Sequence, residues 1–182
     1  PTRPPVCVDW WATSAPPAAG APLTTVANWK HTGKDIVWQG ETYYWSKHLE
    51  FQHFLDLPSF SALPLELAIG AVSDDERSDI HRHGWRTVSS VSLADPSAYR
   101  EYIRASRGEF TVAKDQNIRL RSGWFSDRSA CYLASGRPVI TQDTGFGNII
   151  PTGAGLFSFT TADEALAAIA MVAHDYERQS TA

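Results

Sequence analysis

The chain has 182 residues, of which 43% are hydrophobic and 20% charged, values typical of one ordinary globular domain. The net charge is −4 with both signs scattered along the sequence, which argues against a general nucleic-acid-binding protein, because such proteins carry a basic stripe. No apolar run approaches the ~20 residues needed to cross a bilayer, and the start is not that of a signal peptide.

The number of cysteines indicates the redox compartment of the protein. Cys7 and Cys131 are too few for a disulfide framework or a structural zinc site. We therefore expect two free thiols in a reducing, cytoplasmic compartment and no metal. Because the chain lacks an initiator Met, we also expect it to be a fragment of a larger protein.

Residues 1–22 have the composition of a linker, since they contain six of the eleven prolines. The apolar segment at residues 6–11 has two open interpretations, a short edge strand or the last piece of a preceding domain. From residue 23 onward, apolar strand-like runs alternate with helical patterns. Strands are predicted at residues 23–29, 63–69, 85–91, 110–113, 138–142 and 156–159. Helices are predicted at residues 41–55, 73–83, 95–105 and 125–135, followed by a long C-terminal helix.

The C-terminal helix has a clear start signal, because Thr161 as N-cap and Glu164 three residues later form a capping box. Alternation of strand and helix with short connections predicts a parallel sheet of about six strands, covered by helices on both faces. Residues 23–182 are thus expected to form one Rossmann-like α/β domain. In open sheets of this kind ligands bind at the carboxyl ends of the strands.

The strongest chemical signal lies in residues 119–155, a cationic loop followed by a helix, a strand and a Gly-rich turn. Arg119, Arg121 and Arg128 stand near the predicted helix start, where free N–H groups and guanidinium groups suit phosphate. The alternative is that these arginines form surface salt bridges with carboxylates, for which the nearby candidates are Asp115, Asp127 and Glu109.

The turn after the fifth strand contains Gly-x-Gly at Gly145 and Gly147, but position 150 is Ile rather than a third Gly. This departure from the dinucleotide fingerprint excludes an NAD site. Glycines after a strand still allow a ligand to approach the backbone closely, although a plain tight turn remains the alternative.

Other residues carry weaker signals. The seven tryptophans indicate a core or a covered face, and a sugar- or base-stacking platform is the alternative. The His81–His83 and His48–His53 pairs lack partners for a metal site, and we expect them to be packed or exposed histidines.

The run Tyr-Leu-Ala-Ser-Gly-Arg-Pro-Val-Ile-Thr-Gln-Asp-Thr-Gly-Phe at 132–146 resembles the helix–turn–strand of GT-B glycosyltransferases. That family writes this region as Glu-Ala-(Met/Leu)-Ala-Cys-Gly-x-Pro-Val-Ile, followed by a Gly-rich turn. Residues 155–166 and 26–35 are also similar to the family's C-terminal half. The resemblance covers most of residues 23–182 and is specific from about 119 to 166.

The resemblance implies the nucleotide-binding half of an enzyme that transfers a sugar from a nucleotide-diphospho-sugar, with this donor as substrate and no cofactor. It implies a partner, an N-terminal acceptor-binding domain absent from this chain. The family's paired glutamates fall on Gly123 and Cys131, so no catalytic residue is assigned. The expected donor-binding residues are Lys30, Lys34, Arg119, Arg121, Arg128, Thr144, Gly145, Phe146, Gly147 and Asn148.

A different class of function fits the same composition. A non-catalytic α/β module that binds a nucleotide or a partner protein would show the same alternation of strands and helices. The two hypotheses differ in the sequence expected upstream of residue 1, where only the enzyme requires a second α/β domain.

Overall fold

The computed structural model describes residues 6–13 and 15–182. Within them, the strands in chain order are β1 (Leu23–Asn28), β2 (Ile36–Trp38), β3 (Glu41–Tyr43), β4 (Leu65–Gly70), β5 (Arg86–Ser89), β6 (Gly108–Thr111), β7 (Val139–Gln142) and β8 (Leu156–Phe159). The helices are α1 (Val8–Trp11), α2 (His48–Gln52), α3 (Asp74–Arg82), α4 (Pro96–Ala105), α5 (Asp115–Arg119), α6 (Asp127–Ala134), α7 (Ala162–His174) and α8 (Tyr176–Thr181).

Six of the strands form one parallel sheet in the order β5-β4-β1-β6-β7-β8. Numbered along the chain, its strands run 3-2-1-4-5-6, the order of doubly wound dinucleotide-binding folds. The predicted Rossmann-like α/β architecture is thus confirmed. The order reverses between β1 and β6, so this point is where the fold favours a ligand.

Both faces of the sheet are buried. Val139 and Ile140 are consecutive residues of β7 and belong to different hydrophobic clusters, as expected when neighbouring side chains on a strand point to opposite faces. One cluster is rich in aromatic residues and packs α7 against the sheet, and the other is built around Ile103 and Tyr132. Helices therefore cover the sheet on its two sides.

The central strands separate towards their carboxyl ends. β1 pairs with β4 along all of its residues, but with β6 only at Leu23↔Gly108 and Thr24↔Glu109. Beyond Thr24 the main chains of β1 and β6 no longer pair. A crevice therefore opens at the point where the strand order reverses.

The helix predicted at residues 41–55 is wrong in its first half. Gln39 and Gly40 have φ values of 52° and 81°, which suit the tight turn of a β-hairpin, and β2 and β3 pair antiparallel around them. After the hairpin, the main-chain N–H groups of Tyr44 and Trp45 donate to the carboxylates of Asp115 and Asp35 rather than to helical carbonyls. Only the short α2 remains helical.

The strand interpretation of residues 6–11 is also wrong, since residues 8–11 form α1. Trp11 is buried in the cluster with Ile103 and Tyr132, and the guanidinium of Arg104 binds the carbonyls of Trp10, Trp11 and Ala12. These tertiary contacts, rather than strand pairing, fix the segment. Residues 1–5 and 14 of the predicted linker lie outside the described residues.

The remaining elements match their predictions to within a few residues, apart from the polar loop after β6, which contains the unpredicted α5. The capping box at Thr161 and Glu164 is present, and Ser73 and Glu76 form a second one at the start of α3. Within the described part of the chain, no helix has both the length and the apolarity that crossing a bilayer requires.

Candidate anion-binding crevice

The crevice between the ends of β1 and β6 has a volume of about 230 Å³. Its lining contains four basic side chains and no carboxylate: Val26, Ala27, Asn28, His31, Lys47, Lys114, Trp124, Ser126 and Arg128. Positive charge thus gathers at the edge of the sheet where this fold binds ligands. An anion is the ligand that such a lining favours.

Lys47 is the most buried cation of the crevice, with 5% of its surface exposed. Its Nζ donates to the carbonyl of Val112 at 2.6 Å and to Oγ1 of Thr111 at 3.1 Å. Among the described residues, no carboxylate forms an ion pair with it. Burial, followed by the nearby charge of Arg128, lowers the pKa of Lys47 well below its usual value. Two of the three ammonium protons are bonded, which leaves one for a ligand.

Arg128 lies beneath the gap between the central strands and bridges it. Its Nη1 donates to the carbonyl of Val26 on β1 at 2.6 Å, and its Nη2 donates to Oγ1 of Thr111 on β6 at 3.0 Å. Its Nε is 2.5 Å from Oε1 of Glu109, a fully buried carboxylate. Arg128 therefore replaces main-chain pairing where the strands separate, and three of its five N–H groups are already occupied.

Lys114 lies three residues beyond the end of β6, over the indole of Trp45, with Nζ 3.2 Å from the ring centroid. The Nζ of Lys34 lies 5.5 Å from the same ring. Burial and the charge of Lys34 lower the pKa of Lys114 to about 8. Burial, with the charges of Lys114 and Lys34, also lowers the pKa of His31. These shifts show that burial and neighbouring positive charge disfavour the protonated forms of both groups.

The start of α6 contributes polar groups to the same crevice. Ser126 is the N-cap residue, yet its side chain makes no capping hydrogen bond. Ser126 lines the crevice, and a helix N-terminus favours anions. Trp124 precedes it and forms a wall whose ring centroid lies 5.7 Å from Nζ of Lys47.

The Gly-rich turn adjoins the crevice through Trp124 rather than lining it. Thr144 is buried, its Oγ1 donates to the carbonyl of Trp124 at 2.6 Å, and its own carbonyl accepts from the N–H of Gly123 at 2.8 Å. Gly145 has a φ of 88°, a conformation suited to glycine, and Phe146 is buried. The turn is thus positioned to support the Trp124 loop, and its Gly147 and Asn148 are exposed.

The other arginines of the predicted site are paired with carboxylates. Arg119 forms ion pairs with Glu41 and Asp115, and donates to the carbonyl of Thr42 at 2.8 Å. Arg121 forms an ion pair with Asp143 at 3.1 Å. Neither lines the crevice. Of the carboxylates named in the salt-bridge alternative, Asp115 pairs with Arg119 and Glu109 pairs with Arg128, whereas the partner of Arg121 was not among them.

The predicted lysines lie at different places. Lys30 forms an ion pair with Glu76 at 2.8 Å, and Lys34 is exposed beside Trp45. Of the predicted site residues, only Arg128 lines the crevice. Whether the others contact a donor stays a prediction.

Sequence reasoning missed His31, Lys47 and Lys114 as site residues. Lys114 could have been predicted, because it directly follows the strand predicted at residues 110–113 and the carboxyl ends of strands carry ligand contacts. Lys47 carried no such signal, since it stood inside a wrongly predicted helix. Among the described residues, no group of three His, Cys, Asp or Glu side chains could hold a metal ion.

No protein-family model matches this chain, and no curated protein matches it either. The chemistry of the crevice must therefore be inferred from its own residues.

Proposed function

We propose that this chain is the donor-binding half of a glycosyltransferase, and that its crevice holds the diphosphate of a nucleotide-diphospho-sugar. One observation carries the proposal: four basic side chains and no carboxylate line the crevice where the strand order reverses. The resemblance of residues 119–166 to GT-B glycosyltransferases supports the same assignment.

The charges favour a diphosphate over a neutral ligand. Lys47 is held in a buried position without a carboxylate partner, which raises the free energy of its charged form. A bound diphosphate supplies the missing counter-charge, and one of its oxygens accepts a hydrogen bond from the remaining N–H of the ammonium. Ser126 and the first N–H groups of α6 add uncharged donors on another side of the crevice.

The same groups serve catalysis in the proposed reaction. When the glycosyl group leaves the donor, negative charge develops on the departing diphosphate. Lys47 and Lys114 are placed to stabilise this charge electrostatically, with Arg128 behind them. The crevice volume of about 230 Å³ is smaller than an ordinary ligand pocket, so the base and the sugar would extend beyond it.

The acceptor and the residues that activate it belong, in this proposal, to a partner domain. The positions of the family's acidic pair hold Gly123 and Cys131, and no carboxylate lines the crevice. We extend the proposal to a cytoplasmic setting, which the two free thiols of Cys7 and Cys131 favour. A second α/β domain encoded upstream of this segment would support the proposed partner.

Calorimetric titration of the chain with UDP and GDP tests the proposal. We expect one of them to bind, and we expect Lys47→Ala to weaken that binding at least tenfold, about the effect of one lost charge-assisted hydrogen bond. Arg82→Ala is the matched control, because this exposed arginine pairs with Asp79 at the end of α3 and does not line the crevice.

Two results would contradict the assignment. The first is the absence of binding by either nucleotide. The second is binding that Lys47→Ala and Arg128→Ala leave as strong as in the parent. If Arg82→Ala weakened binding as much as Lys47→Ala, a general effect of net charge would explain the loss.

A further inference from the structure

We infer that Trp124 recognises the sugar of the donor, by presenting its indole to the ring bonded to the diphosphate. This inference rests on the proposed function, since it requires phosphates held by the cations of the crevice. It adds a specificity-determining residue and assigns the kind of group that it contacts.

The position of the indole relative to the cations is the first support. Trp124 lines the crevice, is half-buried, and has its ring centroid 5.7 Å from Nζ of Lys47. A phosphate bound by Lys47 thus places whatever ring it carries against the indole. In a nucleotide-diphospho-sugar, the donor sugar is linked to the diphosphate through a ring carbon, the ribose is attached through its exocyclic C5′, and the base lies beyond the ribose. The short distance from cation to indole therefore favours a sugar over a base.

The main chain around Trp124 is held on both sides. Its N–H donates to Oγ of Ser122 at 3.3 Å, and its carbonyl accepts from Oγ1 of Thr144 at 2.6 Å. The N–H of Gly123 donates to the carbonyl of Thr144 at 2.8 Å, which joins the loop to the Gly-rich turn. A ring whose backbone is fixed loses less entropy when it contacts a ligand.

The indole N–H is a further observation. Two of the core tryptophans use theirs: Trp29 donates to Glu76 at 3.1 Å and Trp85 to the carbonyl of Leu55 at 2.8 Å. Among the described residues, the indole N–H of Trp124 has no acceptor. It can therefore donate to a hydroxyl of a ring that lies against the indole.

The lining of the crevice leaves few other means of recognising a sugar. Protein sites commonly bind sugar hydroxyls through carboxylates, and none lines this crevice. The apolar face of Trp124, with its N–H and the amide of Asn28, is what remains beside the cations. A flat ring with C–H groups on one face and hydroxyls at its edge fits that combination.

The test compares three kinds of probe on the same chain: pyrophosphate, the nucleotides UDP and GDP, and the nucleotide sugars UDP-glucose and GDP-mannose. In the parent, we expect a nucleotide sugar to bind more tightly than its nucleotide. Trp124→Ala should weaken binding of the nucleotide sugar roughly three- to tenfold, which is the effect expected of one aromatic contact. Pyrophosphate and the nucleotides should keep their affinities, and Trp124→Phe should retain most of the sugar contribution.

The matched control is Trp38→Ala, because Trp38 is 60% exposed on the β2–β3 hairpin and does not line the crevice. If Trp124→Ala lost affinity for UDP and for UDP-glucose to the same extent, the sugar assignment would be overturned. Unchanged binding of all probes would overturn it as well. The same holds if no sugar adds affinity in the parent. Absence of binding by pyrophosphate and nucleotides alike would instead refute the proposed diphosphate site.

Discussion

Lys47 and Arg128 donate hydrogen bonds to the same atom, Oγ1 of Thr111, at 3.1 and 3.0 Å. Two cations from different parts of the chain are thereby held side by side on one neutral acceptor. The Oγ1 of Thr25 donates to this atom as well, at 3.1 Å. Glu109 forms an ion pair with Arg128, whereas Lys47 forms none among the described residues, although the charge of Glu109 also acts on it. The arrangement accumulates positive charge that a bound anion would neutralise.

Replacing Lys47 by Met should separate stability from binding. The substitution removes a buried charge without a carboxylate partner and keeps the length of the side chain. We expect the free energy of unfolding to stay constant or to rise by about 1 kcal/mol, while nucleotide binding is lost. Urea denaturation and calorimetric titration measure the two effects. A strongly destabilised Lys47→Met variant would show that the ammonium serves the fold.

Arg128 should behave in the opposite way, because it neutralises the fully buried Glu109. We expect Arg128→Met to lower the free energy of unfolding by about 3 kcal/mol, since it leaves that carboxylate buried without a partner. The double variant Arg128→Met with Glu109→Gln should recover part of the loss, because an amide is less costly to bury than a charge. Equal stability of the single variant and the parent in urea denaturation would contradict this account.

Binding of phosphate ligands should weaken as pH rises through the pKa of Lys114, which is about 8. Below this pH Lys114 is protonated and attracts the anion, and above it the charge is lost. Phosphate monoesters are already fully ionised there, because their second pKa is ~6. Between about pH 7 and pH 9 we expect affinity for UDP to fall by up to about tenfold through this group. Lys114→Ala should bind more weakly at pH 7 and show a flatter profile. A parent profile that stays flat would contradict the role of Lys114.

We expect Arg119 to stabilise the β2–β3 hairpin rather than to bind the ligand. Its guanidinium pairs with Glu41, binds the carbonyl of Thr42 and lies 4.0 Å from the ring of Tyr43. We expect Arg119→Ala to speed hydrogen exchange in residues 36–43 and to leave affinity for UDP nearly unchanged. Arg82→Ala serves as the charge-matched control. A large loss of UDP affinity in Arg119→Ala would instead show that Arg119 contributes to donor binding.

The alternation of apolar and helical patterns was enough to predict the fold. Strand segments such as residues 63–69 and capping signals such as Thr161 with Glu164 are local, and a helix between successive strands favours a parallel sheet. The hairpin at residues 36–43 was missed, because its register depends on two left-handed residues and its docking partly on Asp115, which lies 71 residues beyond Tyr44 in the sequence. Local pattern alone favoured a helix there.

The sequence by itself determined the α/β class, the run of arginines that leads into α6 and the tight turn at Gly145. Only the tertiary structure decided which cations meet: Lys47 precedes α2, Lys114 follows β6, and Arg128 lies on α6, yet all three line one crevice. The structure also decided which cations are paired, since Arg119 and Arg121 bind carboxylates whereas Lys47 does not. The physical reason is that charge pairing and burial depend on distances across the sheet, which no local pattern of residues specifies.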